Sequence, residues 1–489
     1  MKKIFLIITL FGLFQISCTN WLDITPENQI AENDLFETGL GYETALNGIY
    51  QQLSEGDLYG QQLTWGFLSA MSQNYDLSHS GGAAYSQAAR YEFETQYTTP
   101  IIENIWSEMY NALANTNNLL QRVTNESPDL FELKEIEKSV IEGEAYALRG
   151  MIHFDLLRLF APAPVVDKAG AYLPYIDKYP TLVKGNTSTE EYLQNVIADL
   201  EKGRELVAVF DTVTGYNNWV TAGWDYGYSS YSCPRLDGYT PGGESVPSFF
   251  YYRSTRLNYY AITCLLARVY QYAGMPEKAL ENARIILDLE YSFTNLLNAN
   301  TNLEKMNSKC MTDLMFALFN NDLDELILNM ESQETTILYL RDVDNIFAGD
   351  NDDWRLMHLI QKGVSGDRTL KYYNSSDNST ARVMNPLVPM FRLAEIYYIA
   401  GESIFETDPQ QALDYLNDVR SGRGCLNKLT QVPTTLDDYR ELIINDACRE
   451  YIAEGQLFFL YKRLNHDIIG ADQSAVTYVL PIPASNDIF

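Results

Sequence analysis

Residues 267–280 read Ala267-Arg-Val-Tyr270-Gln-Tyr-Ala-Gly274-Met275-Pro276-Glu277-Lys278-Ala279-Leu280. The apolar spacing before Gly274 is helical, and Gly274 ends that helix. Pro276 then presets the first turn of another, where its missing N–H costs nothing. The small residues Ala267 and Ala279 stand twelve positions apart. Two antiparallel helices approach closely only where such side chains face each other. A looser copy runs from Ala400 through Thr407-Asp408-Pro409-Gln410-Gln411 to Ala412-Leu413, with Ser403 where the first copy has Tyr270. Again the small residues are twelve apart, and Pro lies three before the second alanine.

This recurrence matches the tetratricopeptide pattern, in which helix pairs stack on one another to bury a shared core. The spacing predicts further helices over 42–53, 101–123, 140–160, 190–207, 258–272, 276–289, 391–405, 409–419 and 436–464. The 140–160 helix stops at Ala161-Pro162-Ala163-Pro164, since proline cannot continue the hydrogen-bond ladder. Segments 55–100, 208–256 and 290–385 lack long helical periodicity and are rich in Gly, Asn, Ser, Asp and Tyr. Loops of this length inside an ordered protein usually carry function. The expected fold is mainly α: a tetratricopeptide-like helix-pair bundle (about 101–207, 257–289 and 391–464) with a loop-rich ligand-binding subdomain.

Across 489 residues, Lys plus Arg total 35 against 65 Asp plus Glu, a net charge of −30. Nucleic-acid binding needs cations to displace phosphate counterions, so this balance excludes it. With 46% hydrophobic residues the chain can bury a large core. Its 35 Tyr against 21 Phe suit a wet binding surface and a large helical core equally. Met1-Lys2-Lys3 is a basic start, Ile4–Ile16 an apolar run too short to span a bilayer, and Cys18 follows at once. Residues 1–17 read as a signal peptide, Cys18 as the lipid anchor of a lipobox-like site (with Gln15 in place of the usual Leu), and 18–40 as a tether. Of the other cysteines, 233, 264, 310, 425 and 448 are scattered without C-x-x-C, so neither a disulfide framework nor a zinc site is read, and thiol pairing stays open.

Seven motifs now fall in one order. Cys18-Thr-Asn-Trp21-Leu22-Asp23-Ile-Thr-Pro26 comes first. Trp106-x-x-x-Tyr110 with Asn117-Asn118-Leu119-Leu120 is next. Glu144-Ala145-x-x-Leu148-Arg149 runs on to Phe154-Asp155-Leu156 and Arg158-Leu159-Phe160. Then come Arg392-Leu393-Ala394-Glu395-Ile396-Tyr397, Leu416-Asn417-x-Val419-Arg420, Arg449-Glu450 with Glu454-Gly455, and Leu480-Pro481-Ile482-Pro483. Together they resemble the SusD/RagB family over nearly the whole mature chain. The resemblance implies a single SusD-like domain over 41–489, lipid-anchored at the outer membrane and facing the exterior. It implies nutrient capture, of oligosaccharide or in some branches peptide, for a SusC-like TonB-dependent β-barrel, without catalysis. One departure stands out. The family's Arg and Asp three apart on the last helix are Leu457 and Leu460 here. Replacing both partners of a buried pair by apolar groups can be neutral, so this position is expected to be structural, with no role in binding.

Sugars present C–H faces to aromatic rings and hydroxyls to polar groups. Residues 216–252 hold 2 Trp, 7 Tyr and 2 Phe, interleaved with Asn217, Asn218, Asp225 and Arg235. From this segment Trp219, Trp224, Tyr226 and Tyr231 are the ligand-contact candidates. From the loop after the first helix come Trp65, Asn74, Tyr75, Asp76 and Arg90, with Gln73 and Tyr85 beside them. The alternative is that these rings pack loops onto helices. Asp342, Asp344, Asp350, Asp352 and Asp353 could hold Ca²⁺, but the spacing is not an EF-hand, and Asp353-Trp354-Arg355 resembles the family's Asp-Pro-Arg turn. No cofactor and no catalytic residue is assigned. H-E-x-x-H, G-x-S-x-G and Walker A are absent, and His153 falls in an apolar helical pattern that makes it a core residue. A glycan-acting hydrolase and a scaffold binding only proteins remain the competing classes.

Overall fold

A computed structural model describes residues 32–78, 82–181, 184–221, 246–289, 309–310, 313–332, 337–372 and 385–484. Helices dominate them: α1 (Gly39–Ser54), α2 (Thr99–Val123), α3 (Glu135–Phe160), α4 (Thr189–Asp211), α5 (Tyr259–Tyr272), α6 (Pro276–Leu287), α7 (Leu323–Ser332), α8 (Leu393–Ile404), α9 (Pro409–Gly422), α10 (Leu436–Glu450) and α11 (Gln456–Leu464). Among the described residues no helix is long and apolar enough to cross a membrane.

The helices form a row in which α2 packs on α3, α3 on α4, α4 on α5, α5 on α6, α6 on α8 and α8 on α9. Local chemistry starts several of them. Thr38 Oγ1 accepts from Gly41 N in α1, Ser188 Oγ from Glu191 N in α4, and Asn258 Oδ1 from Tyr260 N and Ala261 N in α5. Each supplies an acceptor to a first-turn N–H that has no intrahelical partner. The alanines of both repeat copies, 267 and 279, 400 and 412, are fully buried. Gly274 sits at φ +73° between α5 and α6, a conformation that favours glycine.

α3 is enclosed on almost every side from Ser139 onward, as a helix at the centre of a large protein must be. It meets α4 at two glycines. A Cβ on Gly143 would lie 2.8 Å from Gly203 O, and a Cβ on Gly203 2.7 Å from Gly143 O.

Two boundaries differ from the sequence reading. Phe391 and Arg392 end strand β6 (Leu387–Arg392) and do not begin α8; β6 pairs antiparallel with β3 (Leu314–Phe319) inside the 290–385 region. All six β6 residues are buried, so the alternation that betrays a half-exposed strand is missing. The expected helix over 436–464 is two helices. Ala453 (φ +60°) and Gly455 (φ +73°) break it, and a Cβ on Gly455 would lie 2.3 Å from Leu63 O. Shorter antiparallel pairs join β1 (Ala171–Leu173) to β2 (Thr187–Ser188) and β4 (Ile360–Gln361) to β5 (Arg368–Thr369).

Candidate functional site

The loop after α1 and the segment after Leu338 are tied together backbone to backbone. Tyr75 bridges Leu340, which also bridges Asp367, and Arg341 N donates to Asn74 O at 2.9 Å. Between this tie and the C-terminal helices α10 and α11 lies an open cavity of about 430 Å³, within the size range of ligand sites. Gln73, Asn74, Asn345 and Asn445 supply amides to its lining, Arg341, Arg420 and Arg449 guanidinium groups, and Asp342, Asp350 and Asp446 carboxylates, while Leu457, Tyr461 and Ile469 form an apolar wall. Gln73 takes φ +60°, which turns its side chain so that Nε2 donates to Ala89 O at 2.7 Å while Oε1 accepts from Arg341 Nη1 at 2.8 Å. Asn74 Oδ1 accepts from Ala453 N at 3.3 Å, linking the loop to the break between α10 and α11.

Beneath the cavity runs a buried ion-pair network. Arg420 and Arg449 hold Asp350 at 2.8 and 2.6 Å. Arg355 reaches Asp353, Asp446 and Glu450 at 2.7, 2.8 and 2.9 Å, and Arg423 pairs with Glu450 and Asp313, both at 2.5 Å. Glu454 joins Arg392 and Lys371, whose ammonium also donates to Glu450 O and Ile452 O. Burial alone would raise these carboxyls. Arg423, Arg355 and Arg392 outweigh it at Glu450 and hold it well below the usual range; Arg355 does so at Asp446, and Arg420 with Arg449 at Asp350. A second such cluster lies under α3, where Glu144 accepts from Arg253 Nη1 at 2.6 Å, Arg256 Nε at 2.9 Å and the Tyr50 hydroxyl at 2.5 Å.

The nominated residues fall in three groups. Trp65 and Tyr75 are enclosed, each 3% exposed. Trp65 Nε1 donates to Gly60 O and Tyr75 Oη to Trp65 O, so in this structure both rings are built into the packing of the loop. Asn74 is buried at the cavity, and Tyr85 is buried with its hydroxyl bonded to Gln61. Asp76 turns back to Ser78, and exposed Arg90 pairs with Glu92 at 3.0 Å. At the ends of the aromatic-rich segment, Trp219 is enclosed (6% exposed) and stacks on Tyr251 with the two rings nearly parallel (5.4 Å between centroids, 6° between planes), so the exposed rings there are Tyr251 and Tyr252. Cys18, Trp224, Tyr226 and Tyr231 lie outside the described residues.

The five clustered carboxylates do not converge. Asp342 accepts from Asn345, Asp344 pairs with Lys362, Asp352 accepts from Leu426 N, and Asp350 and Asp353 belong to the arginine network. Among the described residues no group of three or more His, Cys, Asp or Glu is placed to hold a metal ion. Asp353 Oδ1 caps the short helix Trp354–Leu359 through Arg355 N, the turn anticipated from its sequence. His153 is fully buried between Tyr192 Oη (2.6 Å) and Ile176 O (2.9 Å), as its apolar surroundings predict. Cys264, Cys310, Cys425 and Cys448 are free thiols. Sequence reasoning passed over Arg341, Asn345 and Asn445, the polar groups that the cavity presents. Their only signal is a place in a long Asn- and Asp-rich stretch or on the outer face of a helix.

Comparison with known proteins agrees with this architecture. A family model described as "Starch-binding associating with outer membrane" matches residues 20–214, and the SusD family model matches residues 272–483. A SusD-like protein of Formosa agariphila is 23% identical over 205 residues, 42% of this chain and 38% of that one, and a second from the same organism is 24% identical over the same length. These matches thus span little more than a third of those relatives. Among solved structures, a SusD superfamily protein of Bacteroides thetaiotaomicron is similar with a TM-score of 0.63 at 20% identity, covering 88% of this chain and 89% of that one. A SusD-like carbohydrate binding protein of Bacteroides vulgatus is similar with a TM-score of 0.63 at 17% identity, covering 89% and 85%. At such identities the likeness establishes the fold.

Proposed function

Because the chain belongs to the SusD/RagB family, we propose that it binds nutrient oligosaccharide at the cell surface and delivers it to a SusC-like TonB-dependent barrel, without catalysis. The observation that carries this reading is the open cavity between the loop after α1 and helices α10 and α11. It is ligand-sized and presents amides beside charged groups, with the arginine network directly beneath it. Hydroxyls suit amide partners, and a sugar's C–H face suits an apolar wall. We assign the aromatic-rich segment to ligand as well, through Tyr251 and Tyr252, with Trp219 stacked against Tyr251, and through Trp224, Tyr226 and Tyr231. Cys18 carries the lipid that keeps the protein at the outer membrane.

Electrostatics support binding without hydrolysis. Glycoside hydrolysis needs a carboxylic acid held protonated near neutral pH. The buried carboxyls at this cavity, Asp350 and Asp446, are held in the opposite direction by arginines.

The test is one preparation read two ways. In cells, wild type should stay with the membrane fraction and Cys18→Ser should not. In calorimetry against an oligosaccharide panel that includes starch fragments, Asn345→Ala with Asn445→Ala, and separately Trp224→Ala, should each weaken binding by roughly tenfold, the scale of one or two lost contacts. Unchanged affinity in all variants would remove the site assignment. New reducing ends on incubation would make the protein a hydrolase.

A further inference from the structure

Arg341 stands apart from the other cations of the cavity. Arg420 and Arg449 are spent on Asp350. Arg341 pairs with no carboxylate among the described residues, and its guanidinium makes one hydrogen bond, to Gln73 Oε1 at 2.8 Å. Asp342, its neighbour in sequence, turns its carboxylate to Asn345 Nδ2 at 2.6 Å. The Arg341 side chain is nevertheless held in place. Its backbone N–H is tied to Asn74 O, its hydrogen-bond acceptor Gln73 is anchored to Ala89 O, and its guanidinium lies against Gly470. A Cβ at Gly470 would come within 2.8 Å of Arg341 Cζ and 2.9 Å of Nη1. Gly470 also takes φ +87°, so backbone and neighbour both call for glycine there.

A guanidinium offers five N–H donors in a rigid fork, and all but one of those on Arg341 are uncommitted. Covering it with a neutral ligand would strip water from a charge that has no partner, which is costly. A carboxylate would convert the same atoms into a two-point, charge-assisted pair. Asn445 and Asn345 beside it are exposed amides suited to hydroxyls. We infer that this cavity selects an acidic oligosaccharide, one whose uronic-acid carboxylate is clamped by Arg341 while its hydroxyls meet the flanking amides. The inference rests on the proposed glycan-binding role and names the substrate class of the same site.

The experiment is calorimetry of the purified chain with galacturonan, alginate and glucuronoxylan fragments. Each is run beside its carboxyl-reduced counterpart, which keeps the ring skeleton and loses the charge. At least one acidic fragment should bind roughly tenfold or more tighter than its reduced form, the scale of one charge-assisted pair. Arg341→Gln should erase that difference with little change in melting temperature, since the fold loses at most the one hydrogen bond to Gln73 and no ion pair; Arg341→Lys should restore part of it. Equal binding of acidic and reduced fragments, or a preference that survives Arg341→Gln, would overturn the inference and leave the glycan-binding reading intact. Binding confined to neutral glycans does the same. A peptide whose C-terminal carboxylate depends on Arg341, with no glycan binding at all, would overturn both.

Discussion

Glu144 holds Arg253 and Arg256, Arg149 holds Asp199, Arg268 holds Glu395, and Arg355 and Arg423 hold Glu450. One member of each set lies in a motif through which the chain resembles its family. Those motifs therefore mark the charged framework of the fold; of the cavity's polar residues, Arg420 and Arg449 belong to them, and Gln73, Asn74, Arg341, Asn345 and Asn445 lie between them. Once desolvated, such pairs constrain each other, because removing one partner strands a buried charge at a cost of about 3–5 kcal/mol. Leu457 shows the converse. Where the family carries half of an ion pair, this chain has a leucine only 2% exposed, with partly buried Leu460 one turn on. Leu457 also borders the cavity, so the position is packed, as expected, but does not stand apart from the candidate site. Leu457→Arg would place a guanidinium beside carboxylates that already have partners. It should lower the melting temperature clearly, by the equivalent of about 3 kcal/mol or more; a melt like that of wild type would show the position is not a packing site.

At the level of elements, helix proximity depends on what side chains leave out. α3 and α4 approach at Gly143 and Gly203 so closely that each backbone occupies the other's Cβ position. Neither glycine belongs to the repeat pattern, and glycine inside a helix reads from sequence only as a weak point. Gly203→Val should push α4 from α3 and cost about 1–3 kcal/mol or more, since backbone cannot yield as a flexible side chain does. Denaturant unfolding measures it, and an unchanged midpoint would mean the crossing is looser than it stands here. The same limit explains β6. Leu387, Val388, Pro389, Met390 and Phe391 form a continuous apolar run, and burial on both faces erases the period that separates strand from helix.

At the scale of the molecule, the framework sets how stability responds to acid. His153 is held neutral by burial, which lowers its pKa to about 3, with the Arg149 charge acting the same way. Unfolded, it would titrate near its ordinary value of about 6.5. The folded state then binds fewer protons between these values, so stability falls as pH drops below about 6.5, by up to about 1.4 kcal/mol per pH unit. Asp350, Asp446 and Glu450 add to the fall below about 4, where the unfolded carboxylates protonate first. His466 runs the other way, because Glu441 raises it against the effect of burial. The discriminating measurement is therefore the difference between wild type and His153→Gln. Melting temperatures from pH 7.5 to 4.5 should fall less in the variant, and parallel curves would mean His153 is not buried neutral.

Periodicity and the paired alanines determined the helical fold class and most helix positions, because those signals are local: a 3.6-residue repeat and a proline at a helix start act within a few residues. His153 in the core was legible for the same reason, whereas the Asp353 turn was read from its resemblance to a family motif. The break at Ala453–Gly455, the α3–α4 glycine crossing and strand β6 were decided by tertiary structure, since each depends on a neighbour distant in the chain. So was the cavity. Nothing local distinguishes Arg341 from the ion-paired arginines, because whether a guanidinium finds a carboxylate depends on which side chains the folded chain brings beside it.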